Sequence, residues 1–217
     1  MVVMSALVRS FALALPLLAG LGLAWPVAAA QAQTAAIREV PSQHEAGGLV
    51  INYRRLRPQI ATGGLIQPGA VPKLKELGFA TIVDLRGPME GTAVEKQAAQ
   101  AAGIRYFNIP VTEGLPSDAQ LAEFGRVIQD PKNYPVLVHC ASANRVGATW
   151  ALYRIHSGIP VEMALAEGQA IGMRAERQPT FANAYRRRRS LTDTQRLTGE
   201  PGAYSQTLRA GGKDAPE

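Results

Sequence analysis

The prediction of the fold starts from residues Pro135 to Ala148, PVLVHCASANRVGA. Its aliphatic run Val136–Val138 is typical of a strand that is buried on both faces of a sheet. Small and polar residues follow, and from Val146 onward the composition favours a helix. A strand that passes through a short loop into a helix leaves backbone N–H groups unpaired, and with the helix dipole these groups favour an anion. The stretch therefore predicts an anion site at the carboxyl end of a strand.

Two side chains in this stretch suit chemistry on an oxyanion. Cys140 is the only cysteine of the chain, and it directly follows the predicted strand. Thiols become nucleophilic when they ionise, which a helix N-terminus and a nearby guanidinium favour. Arg145 can hold two oxygens of a tetrahedral oxyanion in a planar geometry that lysine lacks. A structural thiol and a surface ion pair are the alternative, but the combination of strand, His-Cys, small loop, arginine and helix favours a catalytic site.

The pattern His139-Cys140-x4-Arg145 resembles the phosphate loop of cysteine-dependent phosphatases. More narrowly, it resembles the bacterial tyrosine/dual-specificity phosphatase-like family found in β-lactamase hydrolase-like proteins. The similarity runs from about Tyr53 to Met173, through IATGGL (60–65), LGFATIVDLR (77–86) and GIRYFNIPV (103–111). It implies hydrolysis of phosphomonoesters through a cysteinyl-phosphate intermediate, with a phosphorylated protein or a small phosphomonoester as the partner.

The resemblance also implies roles for individual residues. Phosphate contacts fall to the loop residues Ala141, Ser142, Ala143, Asn144 and Val146. His139 is expected to tie the loop to the backbone, and Asp84 with Arg86 to orient neighbouring loops. The leaving group needs a proton donor, and in these phosphatases an aspartic acid on an earlier loop supplies it. Glu113 lies nearest to that place and is preferred, while Asp118 is the alternative unless it serves as a helix cap. This chemistry needs no cofactor and no metal, and no cluster with metal-ligand spacing occurs in the sequence.

The loop departs from the usual phosphatase pattern in two respects. Most cysteine phosphatases have five residues between the cysteine and the arginine, followed by Ser or Thr. This chain has four, followed by Val146. Four-residue spacing also resembles rhodanese-type sulfurtransferases, in which Cys140 would carry sulfane sulfur. A non-catalytic phosphate-binding module is a third interpretation. The Ser or Thr hydroxyl that usually follows the arginine is missing, and the choice of acid is open between Glu113 and Asp118.

The rest of the sequence predicts an α/β fold: a single domain over residues 49–173 with a central, largely parallel sheet flanked by helices. The chain has 217 residues, of which 47% are hydrophobic, enough for one well-packed domain with extensions. Strands are expected at 49–56, 60–64, 80–85, 104–109 and 136–138, and helices at 67–77, 92–102, 117–128, 146–157 and 161–171. Cys140 then lies at a carboxyl strand end, where such sheets hold their sites.

The N-terminal segment 1–32 has the features of a signal peptide. A weakly positive start with Arg9 precedes an apolar run from Phe11 to Trp25, and small residues allow cleavage near Ala30 or Ala32. The run is shorter than a membrane-spanning helix requires, so we expect export to the periplasm. A single cysteine in an oxidising compartment has no disulfide partner, which favours a chemical role. Residues 33–48 are predicted to be a linker.

Residues 174–217 form a basic extension that is predicted to be partly disordered. The protein has a net charge of +6, and this extension holds nine basic and five acidic residues. Its strongest feature is the run Arg186, Arg187, Arg188 and Arg189, which could contact an anionic membrane weakly. A solvated helix face is the simpler interpretation. No aromatic residues interleave with the run, so a nucleic-acid partner is not expected.

Overall fold

The computed structural model describes residues 38–112 and 114–177. The predicted signal peptide, Glu113 and the arginine run of the extension lie outside these residues. The elements, in chain order, are α1 (Gln43–Ala46), β1 (Arg54–Arg57), β2 (Ile60–Gly63), α2 (Val71–Glu76), β3 (Thr81–Asp84), α3 (Thr92–Ala101), β4 (Arg105–Asn108), α4 (Asp118–Gln129), β5 (Val136–His139), α5 (Asn144–His156) and α6 (Val161–Ile171). Short 3₁₀ turns occur at Pro88–Glu90, Pro131–Asn133 and Ala175–Arg177.

The five strands form one sheet in the order β1-β2-β5-β3-β4. Only β1 is antiparallel to its neighbour, so the prediction of a largely parallel sheet flanked by helices is confirmed. The register places the last residues of four strands side by side: Gly63 and Asp84 both pair with His139, and Asp84 pairs with Asn108. This edge of the sheet therefore gathers polar side chains directly before the cysteine loop.

Helices cover both faces of the sheet, as the apolar run of β5 predicts. Val136 and Val138 point to one core, which they share with residues of α4 and α5. Leu137 points to the opposite core, which it shares with residues of α2 and α3. Successive side chains of a strand alternate between its faces, so one short strand contributes to both cores. Within the described residues, no helix is both long enough and apolar enough to cross a membrane.

The structure differs from the sequence prediction at the N-terminal edge of the domain. The strand expected over 49–56 begins only at Arg54, because Asn52 has a left-handed backbone (φ 53°) that an extended strand cannot contain. Residues 38–48, predicted as linker, pack onto the domain. Val40 and Ala46 are buried there, and the Tyr53 hydroxyl donates a hydrogen bond to the Pro41 carbonyl (2.7 Å). The packed unit therefore begins before Leu49.

Helices α5 and α6 cross where each carries a glycine. A Cβ on Gly147 would lie 2.3 Å from the Gly168 carbonyl oxygen and 2.7 Å from the Met173 nitrogen. A Cβ on Gly168 would likewise lie 2.7 Å from the Gly147 carbonyl oxygen. The two backbones therefore approach more closely than any side chain would allow. Since α5 begins directly after the cysteine loop, this crossing fixes the position of the helix N-terminus at the site.

Replacing Gly147 by alanine is expected to lower the free energy of unfolding by about 1–3 kcal/mol. The added methyl group meets backbone atoms that cannot rotate away, which outweighs the better helix propensity of alanine. Urea unfolding followed by circular dichroism measures the change. Gly48→Ala is the matched control, because a Cβ there has no atom within 4 Å, and it should change stability by less than about 0.5 kcal/mol. Equal stability of the two variants would contradict the packing argument.

Candidate active site

The cysteine loop is held against the end of β2 by backbone contacts. The Cys140 N–H donates to the Gly63 carbonyl (3.3 Å), and the Leu65 N–H donates to the Ala141 carbonyl (3.1 Å). Gly64 lies so close to the loop that a Cβ there would be 2.9 Å from the Ala141 carbonyl oxygen. Only glycine fits this position without a shift of the loop. The backbone contacts of Gly63 and Gly64 thus fix the conformation of a loop that consists of small residues.

The loop turns into α5 at Ala143, which has a left-handed backbone (φ 68°) although it is not glycine. The first amide to bond within the helix region is that of Gly147, which donates to the Ala143 carbonyl (2.9 Å). The amides of residues 144–146 have no acceptor one turn earlier in the helix, a position that favours an anion. Asn144 and Arg145 are partly exposed, whereas Val146 is fully buried. Asn144 braces the loop from the other side, because its Oδ1 accepts from the Arg174 N–H (3.0 Å).

Cys140 and Arg145, the two residues for which the sequence predicts chemistry, interact across this loop. Only 1% of the Cys140 surface is exposed, so the thiol lies at the base of the loop. The pKa of Arg145 is raised, chiefly by its hydrogen bonds to Glu90; burial acts against this, and charge and hydrogen-bonding interactions with Cys140 add to it. The sulfur is therefore shielded from water but has a guanidinium beside it, instead of being enclosed by apolar atoms alone.

Glu90 is a site residue that the sequence analysis missed. Its Oε2 and Oε1 accept hydrogen bonds from Arg145 Nη1 (2.7 Å) and Nη2 (2.5 Å), which makes a bidentate ion pair. The Gly87 N–H also donates to Oε2 (2.7 Å). These hydrogen bonds, that of Arg145 first, lower the pKa of Glu90 to about 2 against the effect of burial. The sequence signal for this turn was weak: Gly87 and Gly91 enclose Pro88–Glu90, with Gly91 left-handed (φ 85°).

A buried cluster of charged residues lies beneath the loop. Arg86 Nη2 contacts Asp84 Oδ2 (2.7 Å) and Glu95 Oε2 (2.8 Å). His139 Nε2 lies 2.8 Å from Glu95 Oε1, close enough for a charge contact but not aligned as a hydrogen bond, and its Nδ1 lies 3.2 Å from the Gly64 carbonyl. The structure thus brings His139 together with Asp84 and Arg86, and it adds Glu95, which the sequence did not single out. Their contacts support the loop from below.

Neighbouring polar groups complete this cluster. The Tyr106 hydroxyl donates to Asp84 Oδ2 (2.6 Å), and Asn108 Nδ2 donates to the carbonyls of Asp84 and Arg86 (both 2.9 Å). Burial alone would raise the pKa of Asp84, but the hydrogen bond from Arg86, the charge of His139 and the bond from Tyr106 lower it overall. The carboxylate is thereby kept ionised in a buried place.

The same cluster has the donor types of a metal site. Ligand atoms of Asp84, Glu95 and His139 all lie within 4.8 Å of one another. However, the Arg86 guanidinium already forms ion pairs with both carboxylates, so an arginine supplies positive charge to Asp84 and Glu95. This arrangement fits a structural role under the loop better than it fits a metal centre.

Of the two candidate acids, Asp118 lies within the described residues and Glu113 does not. Glu113 lies outside the described residues, but its loop begins at the site, because the Val111 carbonyl accepts from Arg145 Nη1 (3.4 Å). Asp118 is the first residue of α4. The cap of that helix is Ser117, whose Oγ accepts from the Gln120 N–H (3.2 Å).

A cysteine and an arginine at a helix N-terminus, on a mostly parallel sheet, are the arrangement expected of a cysteine-dependent phosphatase of the tyrosine/dual-specificity type. The chain belongs to the family described as DSP-PTPase phosphatase fused to NAD+ kinase (PTP-NADK), which matches residues 39–186. Its class as a phosphatase hydrolase follows from this membership, and the resemblance found in the sequence is confirmed. A search of curated proteins finds no match to this chain.

Solved structures share the fold at low sequence identity. A putative phosphatase (DUF442) from Shewanella putrefaciens CN-32 is 21% identical, with a TM-score of 0.52 over 65% of this chain and 95% of that chain. A putative phosphatase from Neisseria meningitidis Z2491 is 24% identical, with a TM-score of 0.53 over 62% and 99%. The core catalytic domain of the PP-IP phosphatase SIW14 from S. cerevisiae is 18% identical, with a TM-score of 0.52 over 61% and 85%. These similarities establish the phosphatase fold.

Proposed function

We propose that this protein is an exported phosphatase that hydrolyses phosphomonoesters of the tyrosine or dual-specificity type through a cysteinyl-phosphate intermediate. The observation that carries the proposal is the placement of the Cys140 thiol beside the Arg145 guanidinium, at the N-terminus of α5. A thiolate there can reach phosphorus while the guanidinium and the loop amides neutralise the phosphate oxygens.

The first chemical step is attack of the Cys140 thiolate on phosphorus, in line with the leaving oxygen. A P–S bond forms and the P–O bond to the leaving group breaks. Arg145 and the backbone N–H groups of the loop hold the three equatorial oxygens, whose charge they stabilise in the transition state. The phosphate contacts come from the loop residues Ala141, Ser142, Ala143, Asn144 and Val146. Ala141, Ser142 and Asn144 are partly exposed and can offer their backbone to the phosphate directly, whereas Ala143 and Val146 are fully buried.

A carboxylic acid protonates the leaving oxygen, and water then hydrolyses the cysteinyl-phosphate. We assign this acid to Glu113, because the contact of Val111 with Arg145 brings the start of its loop to the site. The same carboxylate can then accept a proton from the attacking water. Asp118 is the alternative acid. Val146 stands where many phosphatases have a hydroxyl, so departure of the thiolate in the second step depends on Arg145 and the amides.

The site favours a substrate with an isolated phosphate. Arg145 is the only basic residue from Cys140 to Ala148, and Glu90 offsets its charge. Met89, which is 97% exposed, lies next to Glu90 in the same turn and offers an apolar surface to an aryl group. SIW14 is named for a PP-IP substrate, and a substrate with clustered phosphates would require more basic residues. A phosphotyrosine protein or a small aryl phosphate fits this charge distribution better.

The test is a direct comparison of phosphate release and sulfur transfer. The full-length protein is assayed with p-nitrophenyl phosphate, and separately with thiosulfate and cyanide as sulfur donor and acceptor. Rapid acid quenching during turnover should trap a phosphorylated protein. Peptide mapping should place the phosphate group on Cys140. Sulfur transfer without phosphate release would indicate a sulfurtransferase. Binding of tungstate with neither phosphate release nor sulfur transfer would indicate a phosphate-binding module.

Export is tested on the protein made in a Gram-negative host. N-terminal sequencing of the protein in the periplasmic fraction should begin directly after Ala30 or Ala32. An uncleaved protein that remains in the cytoplasm would contradict export. Release of a membrane-associated fraction by salt would indicate that Arg186, Arg187, Arg188 and Arg189 contact anionic lipid.

A further inference from the structure

Arginine carries five N–H donors in one plane, and the contacts of Arg145 divide them between two sides of the group. One hydrogen of Nη1 and one of Nη2 are donated to the two oxygens of Glu90 (2.7 and 2.5 Å). Nη1 also points towards the Val111 carbonyl (3.4 Å). The Nε–H and the second hydrogen of Nη2 are donated neither to Glu90 nor to Val111, and these two lie parallel along the edge opposite to the Val111 contact. Such an edge matches two oxygens of a phosphate.

Glu90 is itself held from several directions. Its Oε2 accepts from the Gly87 N–H (2.7 Å), and its own carbonyl accepts from Arg86 Nη1 (3.1 Å). Arg86 in turn is fixed by Asp84 in the buried cluster. A continuous series of contacts therefore links the buried cluster, through the turn at Pro88–Glu90, to the guanidinium of Arg145. The position of this guanidinium is set by Glu90 at one edge before any substrate binds.

We propose that Glu90 is a positioning residue, which holds Arg145 by its outer edge so that the Nε/Nη2 edge is presented to the phosphate of the substrate. The inference rests on the proposed phosphatase function, whose phosphate ligand it uses. Two parallel N–H groups aimed in advance lose little entropy when the phosphate binds, and they stay aligned as charge develops on the equatorial oxygens. Glu90 contacts Arg145 and needs no contact with the reacting atoms.

The same ion pair allows an opposite interpretation, in which Glu90 competes with the phosphate for Arg145. A competing carboxylate must leave before the substrate can bind, so its removal should increase oxyanion affinity. A positioning carboxylate remains in place, so its removal should decrease oxyanion affinity. The division of donors favours positioning, because the bidentate contact with Glu90 uses neither the Nε–H nor the second hydrogen of Nη2, the pair that would meet the phosphate.

The variants Glu90→Gln and Glu90→Asp test the inference in the full-length protein. Glutamine removes the charge and one of the two acceptors, so the guanidinium loses its orientation. We expect kcat for p-nitrophenyl phosphate to fall about 10²-fold, the usual effect of a small misplacement of a catalytic group. We expect the dissociation constant of tungstate to rise about 10-fold or more. Aspartate keeps the charge with a shorter reach, and it should give intermediate values for both.

Glu76→Gln is the matched control, because Glu76 forms an exposed ion pair with Lys73 on α2 (2.7 Å) and should leave both quantities unchanged. Tighter tungstate binding or faster turnover in Glu90→Gln would show competition and overturn the proposal. A lower melting temperature, with unchanged kcat and tungstate affinity in the folded protein, would reduce Glu90 to a structural role. If the wild type releases no phosphate but binds tungstate, the proposed function fails, and the affinity of Glu90→Gln still decides the role of Glu90. A wild type that does neither would overturn both.

Discussion

Replacement of Cys140 by serine is expected to lower phosphate release by about 10⁴-fold or more, the order of loss when a covalent nucleophile is removed from a hydrolase. A serine hydroxyl does not ionise near neutral pH and has no general base beside it in this loop. The loop amides and Arg145 are unchanged, so the anion site itself should survive. The variant should therefore bind tungstate within about threefold of the wild type, because Arg145 and the amides supply the attraction for the anion.

Steady-state assays with p-nitrophenyl phosphate measure the loss, and calorimetry measures tungstate binding. A melting temperature close to that of the wild type serves as the control for folding, because serine and cysteine are similar in size. Retained turnover in Cys140→Ser would show that another group attacks phosphorus. Loss of tungstate binding together with a normal melting temperature would show that the sulfur itself holds the anion, contrary to the division of roles proposed here.

Replacement of Arg86 by methionine is expected to lower the free energy of unfolding by about 3–5 kcal/mol. Methionine fills a similar volume but leaves Asp84 and Glu95 buried without their shared cation. Asp84 is fully buried, and only 5% of the Arg86 side chain is exposed. The cost of the uncompensated buried charges exceeds the gain from placing an apolar side chain there. His139 Nε2 still lies near both carboxylates, 3.7 Å from Asp84 Oδ1 and 2.8 Å from Glu95 Oε1.

Arg55→Met provides the matched control for this variant. Arg55 forms an ion pair with Glu39 (2.6 Å), but the two side chains are 41% and 60% exposed. Water and salt screen such a pair, so its loss should cost less than about 1 kcal/mol. Urea unfolding of both variants measures the difference. If Arg86→Met is as stable as Arg55→Met, the buried cluster contributes nothing to the stability of the fold.

Local sequence patterns were sufficient to predict the centre of this fold. The apolar run before Cys140 predicts a strand with two buried faces, and Gly78 and Gly103 mark the ends of two helices, as their left-handed backbones require (φ 103° and 66°). Each of these signals depends on residues within a few positions of one another. The cysteine, the loop and the arginine are likewise contiguous, so the sequence could place them together.

Contacts between distant segments could not be predicted in the same way. Glu90 and Arg145 are separated by 55 residues, and they meet only because β3 lies beside β5 in the sheet. Glu95 reaches His139 for the same reason. A carboxylate on an exposed turn has the same local sequence whether it faces solvent or an arginine. Strand order, which fixes the neighbours of each loop, depends on the packing of the whole domain.

The contact of Asn144 with the Arg174 amide limits how far the C-terminus of the domain can be truncated. Met173 is buried against Gly147, and Arg174 hydrogen-bonds to the loop itself, so the residues after α6 are part of the support of the cysteine loop. Val40 has a similar position at the other end, where it packs into the second core. An expression fragment trimmed to 49–173 would remove structural support from both ends of the domain. A minimal fragment must begin at or before Val40 and end at or after Arg174.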